Sequence, residues 1–94
     1  MYVTIRSYKA SPDLADAFAQ REDDIRQLIT GIDGFRAYHM IRTGDGGVAT
    51  VSVYEDQAGA EESTRQAREW VQENLPGVAT SPPEVISGEA FIDA

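Results

Sequence analysis

His39, Trp70, Asn74 and Ser7 are the side chains of this sequence best suited to act on a bound molecule. His39 is the only histidine, and a neutral imidazole in a semi-apolar cavity can serve as a general base near pH 7. Trp70 is the only tryptophan and offers a flat wall to an aromatic or conjugated ligand. Ala67 precedes it on the same helical stripe, and Asn74, the only asparagine, follows one turn later. Ser7 reaches the level of His39 if both face the helices. Each residue also has a plainer role. His39 is then a strand histidine bonded to a neighbour, Trp70 ordinary core and Asn74 a helix-end residue. A solvent-reached cavity of roughly 300 Å³ or more lined by both His39 and Trp70 would support catalysis, with His39 as base and Trp70 as wall; an interior filled by side chains sinks it.

Other chemistries are excluded more simply. One histidine and no cysteine cannot build a thiolate zinc site or a thiol nucleophile, so no metal is expected. Asp23-Asp24 and Glu61-Glu62 fall on exposed helix faces as solvating charge. Gly31, Gly34 and the Gly44 to Gly47 run are helix-stop and hairpin glycines, with no phosphate loop after a strand. Eight basic against sixteen acidic residues give a net charge of −8, which repels nucleic-acid backbones and anionic lipid. No apolar run approaches the roughly 20 residues that span a bilayer. We therefore expect a soluble, cytoplasmic protein with neither a nucleic-acid nor a membrane partner.

The elements that position these residues follow from periodicity. Residues 1–8 alternate and are rich in β-branched and aromatic side chains, as a strand requires. Ser11-Pro12-Asp13 reads as a helix start, with serine as N-cap and proline at the first helical position. Leu14, Phe18, Ile25, Leu28 and Ile29 form its inner stripe, and residues 30–34 end it. Strands at 35–43 and 48–55 are joined by the glycine-rich turn. Asp56 caps a second helix, reaching residue 74 or 75, whose inner stripe is Ala60, Ser63, Ala67, Trp70, Val71 and Leu75. A last strand covers 84–93. The predicted fold over residues 1–94 is one ferredoxin-like α+β domain, βαββαβ, with a four-stranded antiparallel sheet and two helices on one face.

Both faces of that sheet are apolar, and two helices cover only one. Val3, Ile5, Ala49, Val51, Val53, Ile86, Ala90 and Ile92, with His39 among them, are expected to face the helices. Tyr2, Tyr8, Tyr38, Met40, Tyr54 and Phe91, interleaved with Arg6, Arg36 and Arg42, are expected to meet a second copy, since aromatics and arginine are enriched at interfaces. A chain this short buries only about 60 to 65% of its unfolded surface and gains from dimerising.

Three segments carry a family likeness: Ile32-Asp33-Gly34-Phe35 entering the second strand, Val51-Ser52-Val53-Tyr54-Glu55 running into the second helix, and Ala67-Arg68-Glu69-Trp70 within it. With the order and size of the elements, they resemble the dimeric α+β barrel superfamily and, within it, the antibiotic biosynthesis monooxygenase type. The resemblance implies two sheets packed face to face across a dimer, with a ligand cavity between sheet and helices. It also implies oxygenation of polycyclic aromatics by molecular oxygen without a cofactor, or haem degradation with a histidine after the second helix. Both kinds are typified by an asparagine on the first strand and a tryptophan on the second helix. Trp70 matches; the first strand has no asparagine and residues 78–81 include no histidine. The expected function is cofactor-independent oxygenation of a conjugated or aromatic small molecule, and the alternative is a non-catalytic ligand-binding or stress-associated dimer.

Overall fold

The computed structural model describes residues 1–11, 13–77 and 81–94. The strands are β1 (Tyr2–Tyr8), β2 (Phe35–Arg42), β3 (Val48–Tyr54) and β4 (Glu84–Glu89). They form one antiparallel sheet in the order β2-β3-β1-β4, so β1 and β3 are the central pair and the helical crossovers lead from them to the edge strands β2 and β4, as the ferredoxin-like topology requires. Three helices accompany the sheet: α1 (Leu14–Gln20), α2 (Glu22–Thr30) and α3 (Gln57–Asn74). No helix of the described residues is long and apolar enough to cross a membrane.

The first expected helix is thus two, broken at Arg21. The break lets the Arg21 guanidinium turn onto α3, where it lies 5.5 Å from the Trp70 ring centroid and donates to Asn74 Oδ1 at 2.8 Å. Asp13, not Ser11, occupies the N-cap position, and the proline expected at the first helical position lies outside the described residues, as does the loop at 78–80. Asp56 caps α3 as expected, its carboxylate accepting from Gly59 N–H at 3.0 Å. Gly59 is required for close approach: a Cβ there would lie 2.9 Å from the Asp33 carbonyl and 3.0 Å from the Tyr54 ring. β4 stops at Glu89, so Ala90, Phe91 and Ile92 lie beyond the strand.

The two faces of the sheet are the reverse of the sequence expectation. Tyr54 is 0% exposed and Tyr8 8%, and both belong to the core with Leu14, Phe18, Ile25 and Ile29; Tyr38 and Met40 pack against it. These four residues, assigned above to a partner copy, lie under the helices. Conversely Ile5 is 37%, Ile41 52% and Ile86 70% exposed. They share the open face with Val3, Val51 and Val53. The reason is volume. Ala60, Ser63 and Ala67 on α3 are small, and large side chains rising from the sheet fill the space they leave. Polar ends are satisfied inside: the Tyr54 hydroxyl donates to the Ile29 carbonyl at 2.9 Å.

In β2 a second cause operates. Phe35 does lie on the helix side, with its ring 6.0 Å from that of Tyr54. The ladder then shifts between Phe35 and Ala37, and the extra residue, Arg36, reverses the alternation. Tyr38 and Met40 consequently turn inward, while Ala37, His39 and Ile41 turn outward.

Candidate functional site

Arg6 lies in the middle of β1, flanked by Thr50 on β3 and Val85 on β4. It is 2% exposed. One terminal nitrogen donates to Ser52 Oγ and the other to Thr64 Oγ1, both at 3.1 Å. Its Nε finds no hydrogen-bond partner, nor does the hydroxyl of neighbouring Thr50. Among the described residues no carboxylate pairs with it, although the chain carries sixteen acids. A guanidinium keeps its charge in a protein, and a buried charge without a counter-ion costs several kcal/mol.

Two phenols stand beside this cation. Burial pushes the Tyr8 hydroxyl above its ordinary pKa, and the nearby Arg6 charge partly opposes the shift. Tyr38 is raised for the same reason, with Arg6 again opposing. Tyr38 feels both Arg6 and Thr50, yet no bond of normal geometry satisfies Arg6 Nε or Thr50 Oγ1. The rings of Tyr8 and Phe18 meet edge to face at 5.5 Å, and Phe18 stacks on Trp70 at 6.5 Å. Arg6, Tyr8, Phe18, Tyr38, Thr50, Ala67 and Trp70 together enclose an inner space of only about 20 Å³.

Larger clefts open on either side of it. One, of about 510 Å³, lies between α1, α2 and β2 and shares Phe18, Tyr38 and Met40 with the inner space. Its floor is mostly apolar. The other, of about 560 Å³, lies between α3 and β4 and is lined by Arg6, Tyr8, Thr64, Arg68, Val71, Gln72, Pro82 and Val85, among others. It reaches Arg6 and Tyr8 from solvent.

The residues singled out in the sequence are not brought together. Trp70 and Ala67 do line the inner space. Asn74 is engaged elsewhere: its amide donates to the Trp70 carbonyl at 2.9 Å and its oxygen accepts from Arg21, which ties α3 to the α1–α2 break. His39 is exposed on the open face, paired laterally with Val51, and Ser7 is exposed on the same face beside Ala49. No cavity of the described residues is lined by both His39 and Trp70. Arg6, Tyr8, Tyr38, Thr50 and Arg68 are the residues sequence reasoning missed. The available signal was an arginine at the centre of a strand otherwise suited to burial. Among the described residues no group of histidine, cysteine and acid side chains could hold a metal ion.

The sequence profile described as "Antibiotic biosynthesis monooxygenase" matches residues 1–73, most of the chain. The chain belongs to the antibiotic biosynthesis monooxygenase family. Solved structures agree on the fold. A protein of unknown function, NE2512, from Nitrosomonas europaea superposes with a TM-score of 0.79 at 18% identity, covering 99% of this chain and 91% of that one. A Streptomyces coelicolor monooxygenase from the gene ActVA-Orf6, solved with nanaomycin D, gives 0.67 at 15% identity over 99% and 92%. A mutant of MhuD with two manganese protoporphyrin IX molecules per active site gives 0.76 at 12% identity over 100% and 98%. No curated protein matches the sequence. Within the antibiotic biosynthesis monooxygenase fold, this chain places a buried arginine on β1, between sheet and helices.

Proposed function

We propose that the protein is a homodimeric, cofactor-independent monooxygenase that binds the conjugate base of an enolisable, conjugated small molecule against Arg6. The observation that carries this reading is a buried guanidinium, without a carboxylate partner among the described residues, in a residue that lines a 560 Å³ cleft. A fixed cation in a site of low dielectric lowers the free energy of an enolate or phenolate far more than the same cation would in water. The lining residues of that cleft include no carboxylate or imidazole among the described residues, so the substrate proton passes to solvent. The carbanion form then gives its electrons to O₂, a C–O bond forms, and the hydroperoxide loses water as its O–O bond breaks. One oxygen atom ends in the product ketone and the other in water. Tyr8, which lines the cleft and is held neutral by burial, can donate a hydrogen bond to the developing oxyanion.

Anthrone is a suitable probe because its enolate reacts with O₂ in this way to give anthraquinone and water. Oxygen-electrode traces should show uptake above the buffer rate, reduced about a hundredfold in Arg6→Met, the magnitude associated with losing one oxyanion-stabilising group. Uptake no faster than buffer would sink the oxygenase. The tight inner space and the engagement of Asn74 favour a second reading, a binding module without chemistry. Ligand binding with no oxygen uptake is its signature.

For assembly, the open face supplies the surface. Exposed Ile5, Ile41 and Ile86 lie on it with Val3, Val51 and Val53, and a second copy would remove that apolar area from water. In solution the mass should be twice the chain's 10.3 kDa, and Ile86→Asp should shift it toward the monomer. A monomeric mass for the unaltered protein at micromolar concentration would contradict the dimer.

A further inference from the structure

Five of the eight basic residues are neutralised on the surface: Arg21 by Asp24, Arg26 by Glu22, Arg36 by Glu55, Arg42 by Asp16, and Arg65 by Glu62 and Glu69. Arg6, Lys9 and Arg68 form no ion pair among the described residues. Two of these three, Arg6 and Arg68, line the same cleft between α3 and β4. No acidic residue lines it among the described residues, in a chain of net charge −8. Acids are abundant one turn away on α3, and Arg65 collects two of them, whereas Arg68 has none.

Resting on the reading above, we infer that the α3–β4 cleft selects organic anions that carry a carboxylate on a conjugated ring system, with Arg68 as the specificity-determining residue at its mouth. Charge pattern and burial divide the work. Arg68 is exposed and meets the incoming carboxylate in solvent, and a guanidinium fork matches a carboxylate in two parallel hydrogen bonds. Arg6 lines the same cleft from below and is buried, and its unpaired charge adds to the attraction for an anion there. Tyr8, Val71 and Pro82 give the ring an apolar enclosure between the two cations. A neutral ligand of the same shape leaves both guanidiniums without a counter-charge. The chain's net charge of −8 repels anions from the surface at large, against which two unpaired guanidiniums in one cleft stand out.

The test is calorimetric binding of 2-naphthoate and of its neutral isostere 2-naphthamide to the full chain. Naphthoate should bind about tenfold tighter than naphthamide, with the difference shrinking at high salt because one cation is exposed. Arg68→Gln should weaken naphthoate about fivefold and leave naphthamide unchanged, since Gln keeps the stem but not the charge. Arg65→Gln, which alters a cation already paired with Glu62 and Glu69, should change neither. Equal affinities for acid and amide, no binding of naphthoate, or an Arg68→Gln effect shared by both ligands overturns the inference. These outcomes separate from those of the oxygenase test. Charge selectivity without oxygen uptake removes the oxygenase alone, and oxygen uptake without charge selectivity removes the anion inference alone.

Discussion

Replacing Arg6 by methionine should make the protein more stable while removing its function. Burying a guanidinium costs several kcal/mol, and a paired carboxylate is the usual offset. Here the return comes only from two hydrogen bonds to hydroxyls at 3.1 Å, each worth about 1.5 to 3 kcal/mol with a charged donor. The unsatisfied Nε costs roughly 1 to 3 kcal/mol more. Methionine follows the arginine stem and adapts to irregular space. The freed Thr64 hydroxyl can turn to a carbonyl of the preceding helical turn. Ser52 Oγ, buried in β3, also loses its donor and offsets part of the gain, so the balance favours the variant by about 1 kcal/mol, which for a domain of this size raises Tm by roughly 4 to 8 °C. Thermal and urea unfolding followed by circular dichroism at equal protein concentration measure it, with an unchanged urea slope showing that the same fold is compared. Loss of more than about 2 kcal/mol would refute the reasoning and make Arg6 a structural strut.

Other consequences follow from single contacts. Tyr54→Phe removes the 2.9 Å bond to the Ile29 carbonyl, which keeps only the longer 3.4 Å bond from Ile32 N–H, and urea unfolding should show a loss of about 1 kcal/mol; an unchanged midpoint would contradict that bond. Gly59→Ala should cost roughly 1 to 3 kcal/mol by the same assay, because its methyl meets the Asp33 carbonyl at 2.9 Å and helix propensity alone predicts the opposite sign. Tyr8, Tyr38 and Tyr54 all have pKa values raised by burial, so the folded state holds their protons longer than the unfolded state does. Their stabilisation is therefore complete below pH 10 and is lost as pH rises through the folded values, at about 1.4 kcal/mol per pH unit for each phenol. Melting temperatures between pH 8 and 11.5 should fall steeply above 10, in step with tyrosinate absorbance; a flat profile would count against three buried phenols.

The order of elements was legible because it rests on local signals. The glycine-rich turn, the Asp56 cap and the spacing of Leu14, Phe18, Ile25 and Ile29 do not depend on which way the sheet faces. The orientation of the sheet was not legible. Val3, Ile5 and Val51 alternate with Arg6, Tyr8 and Thr50, and a strand buried on one side by helices and suited to a second copy on the other has two apolar phases. Periodicity defines the phases without ranking them. Side-chain volume ranks them, and the small residues of α3 already pointed to large neighbours. The placement of His39 failed for a further reason, since one bulge residue at Arg36 turns the rest of β2 over. The inward orientation of Trp70 and Ala67 was legible because a helix stripe has only one inner side. Arg6 was visible as a residue but was read as an interface arginine, and only tertiary structure shows that no acid comes near it.

The proposed site lies between α3 and β4 over Arg6, and not on the sheet face that carries His39. A crystal structure of the protein soaked with 2-naphthoate tests that placement most directly. The carboxylate is predicted within about 3 Å of a guanidinium nitrogen of Arg68 or Arg6, with the ring against Tyr8 and Val71. Naphthoate seated in the α1–α2 cleft, or on the open face beside His39 and Ser7, would contradict it.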